Sequence, residues 1–479
     1  MSDVVAPIQA SEVDAFAAET DVLVVGFGAA GASAAIEAGR AGARVDVIDA
    51  AGGWGGATAM SGGEIYLGGG TPIQKACDVE DTPEAMYDFL LAATGPGPDE
   101  RKLALYCEQS LEHFDWLVGC GVPFEPKLWT EPAWEAPPGY GLMYTGGENA
   151  YPFTEIAAPA PRGHIVHMPD KKPGERSAGW TLLNRLTRTA ESLGVRVRYD
   201  TRARRLVLDG ERVVGVEVTT FGEPSYLRAR RGVVLSAGGF AANNKMLADH
   251  APRLLGNWLV GTDTDNGTAI RMAQAIGAGV RHMDAGQVAF PADPALLFRS
   301  ILLDRRGRRF INEDTYPGRV GQVSLFTQER QVFLLCDETA TEEAGQPVRP
   351  TWVSDDLTEL GAEMGLAPGV LETTVEQYNA GAEKGEDALC HKSARWLRVL
   401  RPPYGVLDLR AAPYGVFTIG GLHTSVRGEV LSVDGEPLPG LFAAGRTTSG
   451  IPAWGYCSGT SLGDGTFFGR QAGRTAATA

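Results

Sequence analysis

The feature that most constrains this chain is a glycine-rich turn near its start and the register of the residues around it. Asp21–Val25 (DVLVV) is a short β-branched apolar run, the pattern of a strand buried on both faces. It leads into Gly26-Phe27-Gly28-Ala29-Ala30-Gly31, then into ASAAIEAGRAGA, which reads as a helix packed closely on a sheet. RVDVIDA follows as a second strand with Asp49 at its end. Gly26 allows the tight turn, Gly28 lets the backbone approach a pyrophosphate, and Gly31 lets helix and strand touch. The helix start offers free N–H groups and a positive dipole end to phosphates. Asp49, ~20 residues on, can accept hydrogen bonds from ribose hydroxyls. A lone G-x-G-x-x-G is a weak signal; here strand, helix, second strand and terminal acid are all in register.

That pattern alone does not separate one dinucleotide from another. Three later segments do. GGWGGATAMSGG (Gly52–Gly63) directly follows the acid; a bare, hydroxyl-bearing loop there can wrap the pyrophosphate and ribityl chain of a longer cofactor. VVLSAGGF (Val233–Phe240) repeats the strand-into-glycine turn after strand-rich sequence with a turn at Asp209-Gly210. GLFAAGRTTSG (Gly440–Gly450) repeats it again near the C-terminus. Three such turns, far apart in sequence, can converge on one extended ligand, read as non-covalent FAD.

Composition limits the other possibilities. The chain has 479 residues, which suggests two to four domains at ~100–200 residues each. Hydrophobic residues make up 44% and charged residues 21%, values that exclude a disordered or fibrous chain. A net charge of −16 argues against nucleic acid or an anionic membrane as the main partner. Six cysteines lack any C-x-x-C spacing, and the histidines show no H-x-x-x-H pattern. Buried free thiols and no metal site are therefore expected. No Lys or Arg precedes Arg40, and no apolar run is long enough for a membrane span. The expectation is a cytoplasmic protein without a targeting segment or membrane span.

Together, VVGFGAAG, GGWGGATAMSGG, VVLSAGGF, GTDTDNGTA, RRFINE, GLFAAG and SLGDGTFFGRQAG make the chain resemble the FAD-dependent fumarate reductase / 3-ketosteroid dehydrogenase superfamily over nearly its whole length. The resemblance implies an α/β fold: a Rossmann-like FAD-binding domain, with a parallel sheet plus a β-meander, and an inserted α+β catalytic cap domain. The expected division is 1–282 for the first part of the FAD-binding domain, 283–402 for the cap and 403–479 for the second part. ILLDRRGRRFINED in the cap reads as strand, turn, strand. FAD contacts are expected from Gly26, Gly28, Ala30, Gly31, Asp49, Gly56, Ala57, Thr58, Gly62, Gly63, Ala203, Ala237, Gly238, Gly445, Ser461 and Leu462. The last segment reads as a helix whose N-terminus, in this superfamily, faces the flavin's pyrimidine edge.

Fumarate reductases hold a dicarboxylate with arginines and a histidine. The place after Asn312-Glu313 that matches one catalytic arginine holds Tyr316 or Pro317 here, the place matching a second holds Tyr456, and VAFPADP replaces the expected His-Pro-Thr. Arg319 alone stays in reach of the first place. A tyrosine in the cap with a Tyr-x-Ser segment near the C-terminus is similar to the 3-ketosteroid Δ4-(5α)-dehydrogenases. That branch implies Tyr316, Tyr456 and Ser458 as the catalytic group. The Δ1-dehydrogenases carry Tyr-Pro-Gly where this chain has Tyr456-Cys457. The implied reaction introduces the C4–C5 double bond of a 5α-3-ketosteroid: C4 loses a proton and C5 passes a hydride to flavin N5, as a step of steroid metabolism and lipid degradation. Backbone N–H groups of Gly455–Thr460, Gly459 first, are candidate donors to the ketone oxygen. A phenol of pKa ~10 is a poor base alone, so the three hydroxyls are assigned jointly. The alternatives are a Δ1-dehydrogenase and a reductase of an unsaturated carboxylate. No nicotinamide site is evident, which leaves the external electron acceptor open between a protein and a quinone. Arg446 reads as a group behind the flavin contacts, His423 as a candidate flavin or cap contact, and Arg305–Arg309 as a solvated turn. Leu128–Pro152 is either the wall of an apolar cavity or a surface loop.

Overall fold

The computed structural model describes residues 6–172, 175–344 and 347–479. Its largest sheet has nine strands. The β-branched run forms the strand Ala18–Val25, with Val45–Ile48 parallel on one side and Glu223–Leu235 parallel on the other. Arg196–Arg198 and Pro437–Ala443 extend the parallel set at its two ends. Val22, Leu23 and Val24 are completely buried, as strands covered on both faces require. The meander is Thr201–Asp209, Arg212–Thr220 and the first half of Glu223–Leu235, all antiparallel. One long strand thus serves two sheet types, antiparallel at its start and parallel at its end. The change falls at Leu227 and Arg228, and the parallel ladder has a register irregularity just beyond, between Ala229 and Gly232.

The small-residue helix Ala29–Arg40 does more than lie on the sheet. It packs along the C-terminal helix Thr460–Thr478. A Cβ at Gly469 or Gly473 would run into the carbonyls of Ala30 and Ala34. The C-terminal helix is thereby locked against the first phosphate-binding element, although hundreds of residues separate them.

Two insertions complete the fold. Residues 56–178 carry the helices Pro83–Ala93, Glu100–Glu108 and Ser110–Gly119, and a small sheet of Glu64–Tyr66, Gly163–Ile165, Leu142–Met143 and Leu128–Trp129. The second insertion holds a four-stranded antiparallel sheet of Ile301–Asp304, Val332–Asp337, Tyr404–Asp408 and Trp352–Ser354, with helices that include Val370–Lys384. Its connection to the rest is a pair of strands, Gly286–Ala289 and Gly415–Thr418. The central cap strand Tyr404–Asp408 lies beyond the expected boundary at 402, because its partners Val332–Asp337 and Trp352–Ser354 hold it in the cap sheet.

The hairpin expected in ILLDRRGRRFINED forms only in part. Ile301–Asp304 is a strand, but the return reduces to a single bridge between Leu303 and Arg309. Buried charge replaces the second strand. Arg309 holds Glu313 through two bonds, Nε–Oε1 at 2.9 Å and Nη2–Oε2 at 2.6 Å, and reaches Asp387 at 2.8 Å. Lys392 Nζ lies 3.5 Å from Glu313. Arg309 is therefore not part of a solvated turn; it is 7% exposed. Among the described residues no helix is long and apolar enough to cross a membrane, and no group of three metal-ligating side chains occurs. All six cysteines are free.

Candidate active site

The glycine turns converge on one cleft of about 400 Å³. Gly26 sits at φ +99°, a conformation open mainly to glycine. A Cβ there would strike the Ser236 carbonyl, and a Cβ on Gly31 would strike the Gly26 carbonyl. The first and second strand-into-glycine turns are thus in contact. The sequence-expected residues Gly26, Gly28, Ala30, Asp49, Gly56, Ala57, Thr58, Gly62, Ala203, Ala237, Gly238, Gly445, Ser461 and Leu462 all line this cleft. Gly31 and Gly63 do not; they shape it from behind, Gly63 by passing against the backbone of Ala178 and Gly179.

At the head of the cleft the Ala29 N–H donates to Thr58 Oγ1 at 3.1 Å. The loop after Asp49 therefore caps the first helix. Asp49 accepts from Phe27 N–H at 2.7 Å and Ala51 N–H at 2.8 Å. Burial raises its carboxyl pKa against these two donors. The groups that face the cleft suit an extended dinucleotide: bare backbone at three turns, one acid near the first strand pair, and a helix start at Ser461 and Leu462. Buried polar atoms without protein partners also line it, among them Arg446 Nη1, Gln287 Oε1 and Glu64 Oε1. Such atoms are costly unless a ligand meets them.

The expected catalytic residues come together at one end. Tyr456, Ser458 and Gly459 line this cleft. Tyr316 lines a smaller adjoining hollow, and Ser458 belongs to both. The hydroxyls of Tyr316 and Ser458 lie 2.9 Å apart. Gln287 Nε2 points to the Tyr316 hydroxyl at 3.5 Å, a weak contact. Burial first, then Tyr456, pushes the Tyr316 phenol above its usual pKa; the Ser458 bond works against this. Burial raises the Tyr456 phenol too, opposed by the hydroxyl and N–H of Ser461. Neither phenol ionises readily by itself, which favours a chain of hydroxyls over a single tyrosinate.

The side chains of Asn312, Glu313 and Asp314, which lead to Tyr316, are tied down. Asn312 Nδ2 donates to the Tyr151 carbonyl at 3.0 Å, Glu313 takes Arg309 and the Leu302 N–H, and Asp314 accepts from Ser393 N–H at 2.8 Å. Burial works to raise the Glu313 carboxyl, but Arg309 and Lys392 hold it below its ordinary value. Tyr316 then stands at the start of the helix Pro317–Gln322. On the other side Gly459 has φ +95°, and the Tyr66 N–H donates to its carbonyl at 3.1 Å. Phe417 meets the Tyr456 ring edge-on, with centroids 5.3 Å apart. Gln287 is its partner across the two-stranded connection.

The remaining expectations resolve as follows. Arg319 lines neither hollow; its guanidinium lies 4.8 Å over the Phe153 ring. Arg446 lines the cleft, pairs with Asp265 at 2.8 Å and covers Phe417. His423 lines neither hollow and gives its N–H to the Gly279 carbonyl. The stretch Leu128–Pro152 is a wall: Trp129, Trp134, Met143 and Tyr144 line the smaller hollow, opposite Pro294, Phe298 and Trp396 of the second insertion. Sequence reasoning missed Gln287, Glu64 and Arg176, all in the cleft lining. A lone glutamate in GGEIYLGG and a lone glutamine in AGQVAF are polar residues within apolar runs, and that contrast was the available signal.

Residues 21–462 match the FAD binding domain family. The chain belongs to this family. FAD is its cofactor. In structure the chain is similar to 3-ketosteroid-Δ4-(5α)-dehydrogenase from Rhodococcus jostii RHA1, solved in complex with 4-androstene-3,17-dione. Identity is 52%, the TM-score is 0.96, and the match covers 99% of this chain and 100% of that one. In sequence it is 27% identical to the 3-oxosteroid 1-dehydrogenase of Mycobacterium tuberculosis, over 94% of this chain and 97% of that one. It is also 26% identical to a cytochrome-type fumarate reductase of Shewanella frigidimarina, over 95% of this chain and 77% of that one.

Proposed function

We propose that this protein is an FAD-dependent dehydrogenase that introduces the C4–C5 double bond of a 5α-3-ketosteroid. The observation that carries this is the hydroxyl pair Tyr316–Ser458, held at 2.9 Å where the FAD cleft meets an aromatic-walled hollow. Similarity to the Rhodococcus jostii enzyme over the full chain supports the same substrate class.

The 3-ketone makes the C4 hydrogen acidic. In this reading Tyr456 and the Gly459 N–H donate to the ketone oxygen and hold the charge that develops there. The C4 proton passes to the Ser458–Tyr316 pair, within which either oxygen can donate. The pair shares the proton, so neither buried phenol carries a full negative charge. Trp129, Trp134, Phe298 and Trp396 exclude water and receive the apolar ring system. Bound FAD supplies the two-electron acceptor for the C5 hydrogen and its electron pair. Gly26, Gly28, Asp49, Thr58, Gly238 and Gly445 hold that cofactor, and Ser461 and Leu462 bring the positive end of the last helix to it.

A carboxylate-reducing role would need a cationic clamp. The cleft arginines do not form one among the described residues: Arg176 pairs with Glu135 at 2.6 Å, Arg446 pairs with Asp265, and Arg202 is exposed. The free thiols suit a reducing compartment, which supports a cytoplasmic place in steroid breakdown.

Anaerobic addition of a 5α-3-ketosteroid to the yellow holoenzyme tests the reading. Bleaching of the flavin band should accompany formation of a 4-ene-3-one. No bleaching with any 3-ketosteroid, or a double bond placed at C1, would overturn it.

A further inference from the structure

One buried acid in the cleft has no part in the scheme above. Glu64 opens the strand Glu64–Tyr66, directly after the Gly62-Gly63 pair. It is 7% exposed, and its Oε1 has no hydrogen-bond partner. The strand runs against Gly459: Tyr66 N–H bonds the Gly459 carbonyl, and a Cβ on Gly459 would lie 3.3 Å from the Glu64 carbonyl carbon. Glu64 lines the same cleft as Tyr456, Ser458, Gly459 and Ser461. It does not line the smaller hollow; a carboxyl thus stands beside the hydroxyls of Tyr456 and Ser458 in the cleft lining.

We propose that Glu64, as a neutral carboxylic acid, donates a hydrogen bond to the substrate's ketone oxygen, as a third donor beside Tyr456 and the Gly459 N–H. This rests on the ketosteroid reading. A carboxylic acid kept neutral by apolar surroundings can serve a steroid ketone in this way alongside a tyrosine. The step balances without any transfer from Glu64. The C4–H bond breaks and its proton goes to the Ser458–Tyr316 pair. The released electron pair spreads onto the ketone oxygen, where the three donors face it. It then becomes the second bond of the C4–C5 double bond as the C5 hydrogen leaves with its own pair, which bound FAD would accept. Glu64 keeps its proton throughout.

The groups facing Glu64 decide its charge. Burial is the largest influence and raises its pKa to about 8, and Glu135 pushes the same way; Arg176 and Lys171 pull it down. Glu135 is itself held by Arg176 at 2.6 Å and by Lys171 at 3.2 Å, so both cations are largely engaged there. From the C-terminal segment Tyr456 senses Glu64: charge on the acid adds to the burial that raises its phenol. With a raised pKa the acid is protonated below pH about 8 and loses the donor above it.

The test compares wild-type holoenzyme with Glu64→Gln and Glu64→Leu. Gln keeps an N–H donor but cannot ionise; Leu has none. Turnover in the Leu variant should fall ~10²–10³-fold at neutral pH, the usual cost of one such donor, while Gln should stay within about tenfold of wild type. Wild-type turnover should drop as pH passes about 8, and Glu64→Gln should lack that drop. A second reading needs no turnover. Titrating oxidised holoenzyme with a 4-ene-3-one and following the flavin absorbance should show weaker binding in Glu64→Leu, and in wild type above that pH, but not in Glu64→Gln. If Leu fails to retain flavin, the pH profile and ligand titration of Gln against wild type decide alone. Leu binding and turning over like wild type, or Gln sharing the wild-type loss above pH 8, would overturn the role of Glu64. Those outcomes differ from a wild-type enzyme that no 3-ketosteroid bleaches, which removes the underlying reading and this inference with it.

Discussion

The cleft has two ends built by different means. At the dinucleotide end, geometry is carried by backbone: Gly26 against the Ser236 carbonyl, Gly31 against Gly26, and a helix start at Gly28. The parts are few, and each glycine turn follows a strand of one parallel sheet. At the reaction end, geometry is carried by side chains from four distant places: Glu64, Gln287, Tyr316 and the pair Tyr456/Ser458. They meet only because the two insertions fold back over the sheet. The difference teaches where substitutions should matter. Losing one side chain at the first end leaves the cradle in place. Losing one at the second removes a working part and leaves the cofactor bound.

The largest effect expected from this contrast is at Tyr316. Replacing it with Phe removes one hydroxyl of the proton pair and little volume. Turnover should fall by ~10²–10⁴, the range for loss of a positioned proton-transfer group. Flavin content and the visible spectrum should not change. If Tyr316→Phe instead loses flavin and keeps its turnover per bound cofactor, the two ends are not separate and the contrast fails.

How much of this could be read from the sequence follows the same division. The dinucleotide end was legible because its signals are local: strand, glycine turn, helix and acid within one short stretch, then two more strand-into-glycine turns. Of the expected contacts only Gly31 and Gly63 stand behind the lining, and both still set its shape through close backbone approach. At the reaction end Tyr316, Tyr456 and Ser458 were found through resemblance, which fixes positions but not distances. Glu64 and Gln287 were not found, because nothing local says that their strands pass beside Gly459 and Phe417. The missing half of the cap hairpin was hidden for a related reason. Apolar-turn-apolar patterning suggests a second strand, whereas the buried pairing of Arg309 with Glu313 and Asp387 draws Arg309 inward and ends the ladder. That contact involves Asp387, far along the chain.

This buried cluster gives the next largest effect. Glu313 is fully buried between Arg309 and Lys392. Replacing Glu313 with Gln leaves two buried cations short of their partner. Breaking a pair of this kind costs ~3–5 kcal/mol. The cap should melt earlier in a denaturant series followed by tryptophan fluorescence. Turnover should fall too, since the Asn312–Tyr316 segment loses an anchor, yet flavin affinity should stay near the wild-type value. An unchanged denaturation midpoint would show that the cap does not depend on this cluster.

The smallest effect sharpens the contrast from the other side. Thr58, at the dinucleotide end, accepts a hydrogen bond from the Ala29 N–H at the start of the first helix. Replacing Thr58 with Val keeps the shape and removes the acceptor. Losing a helix cap of this sort costs ~1 kcal/mol, with a range of about 0.5–2. A melting experiment on the holoenzyme should register that loss, and at saturating FAD the turnover should equal wild type. The reason is the arrangement of the turn: the glycine backbone sets where the phosphates lie, and Thr58 lines the cleft beside them while it tightens one helix end. A hundredfold loss of turnover at full flavin occupancy would mean that Thr58 reaches the reacting atoms, and that the cradle and the reaction end share working side chains after all.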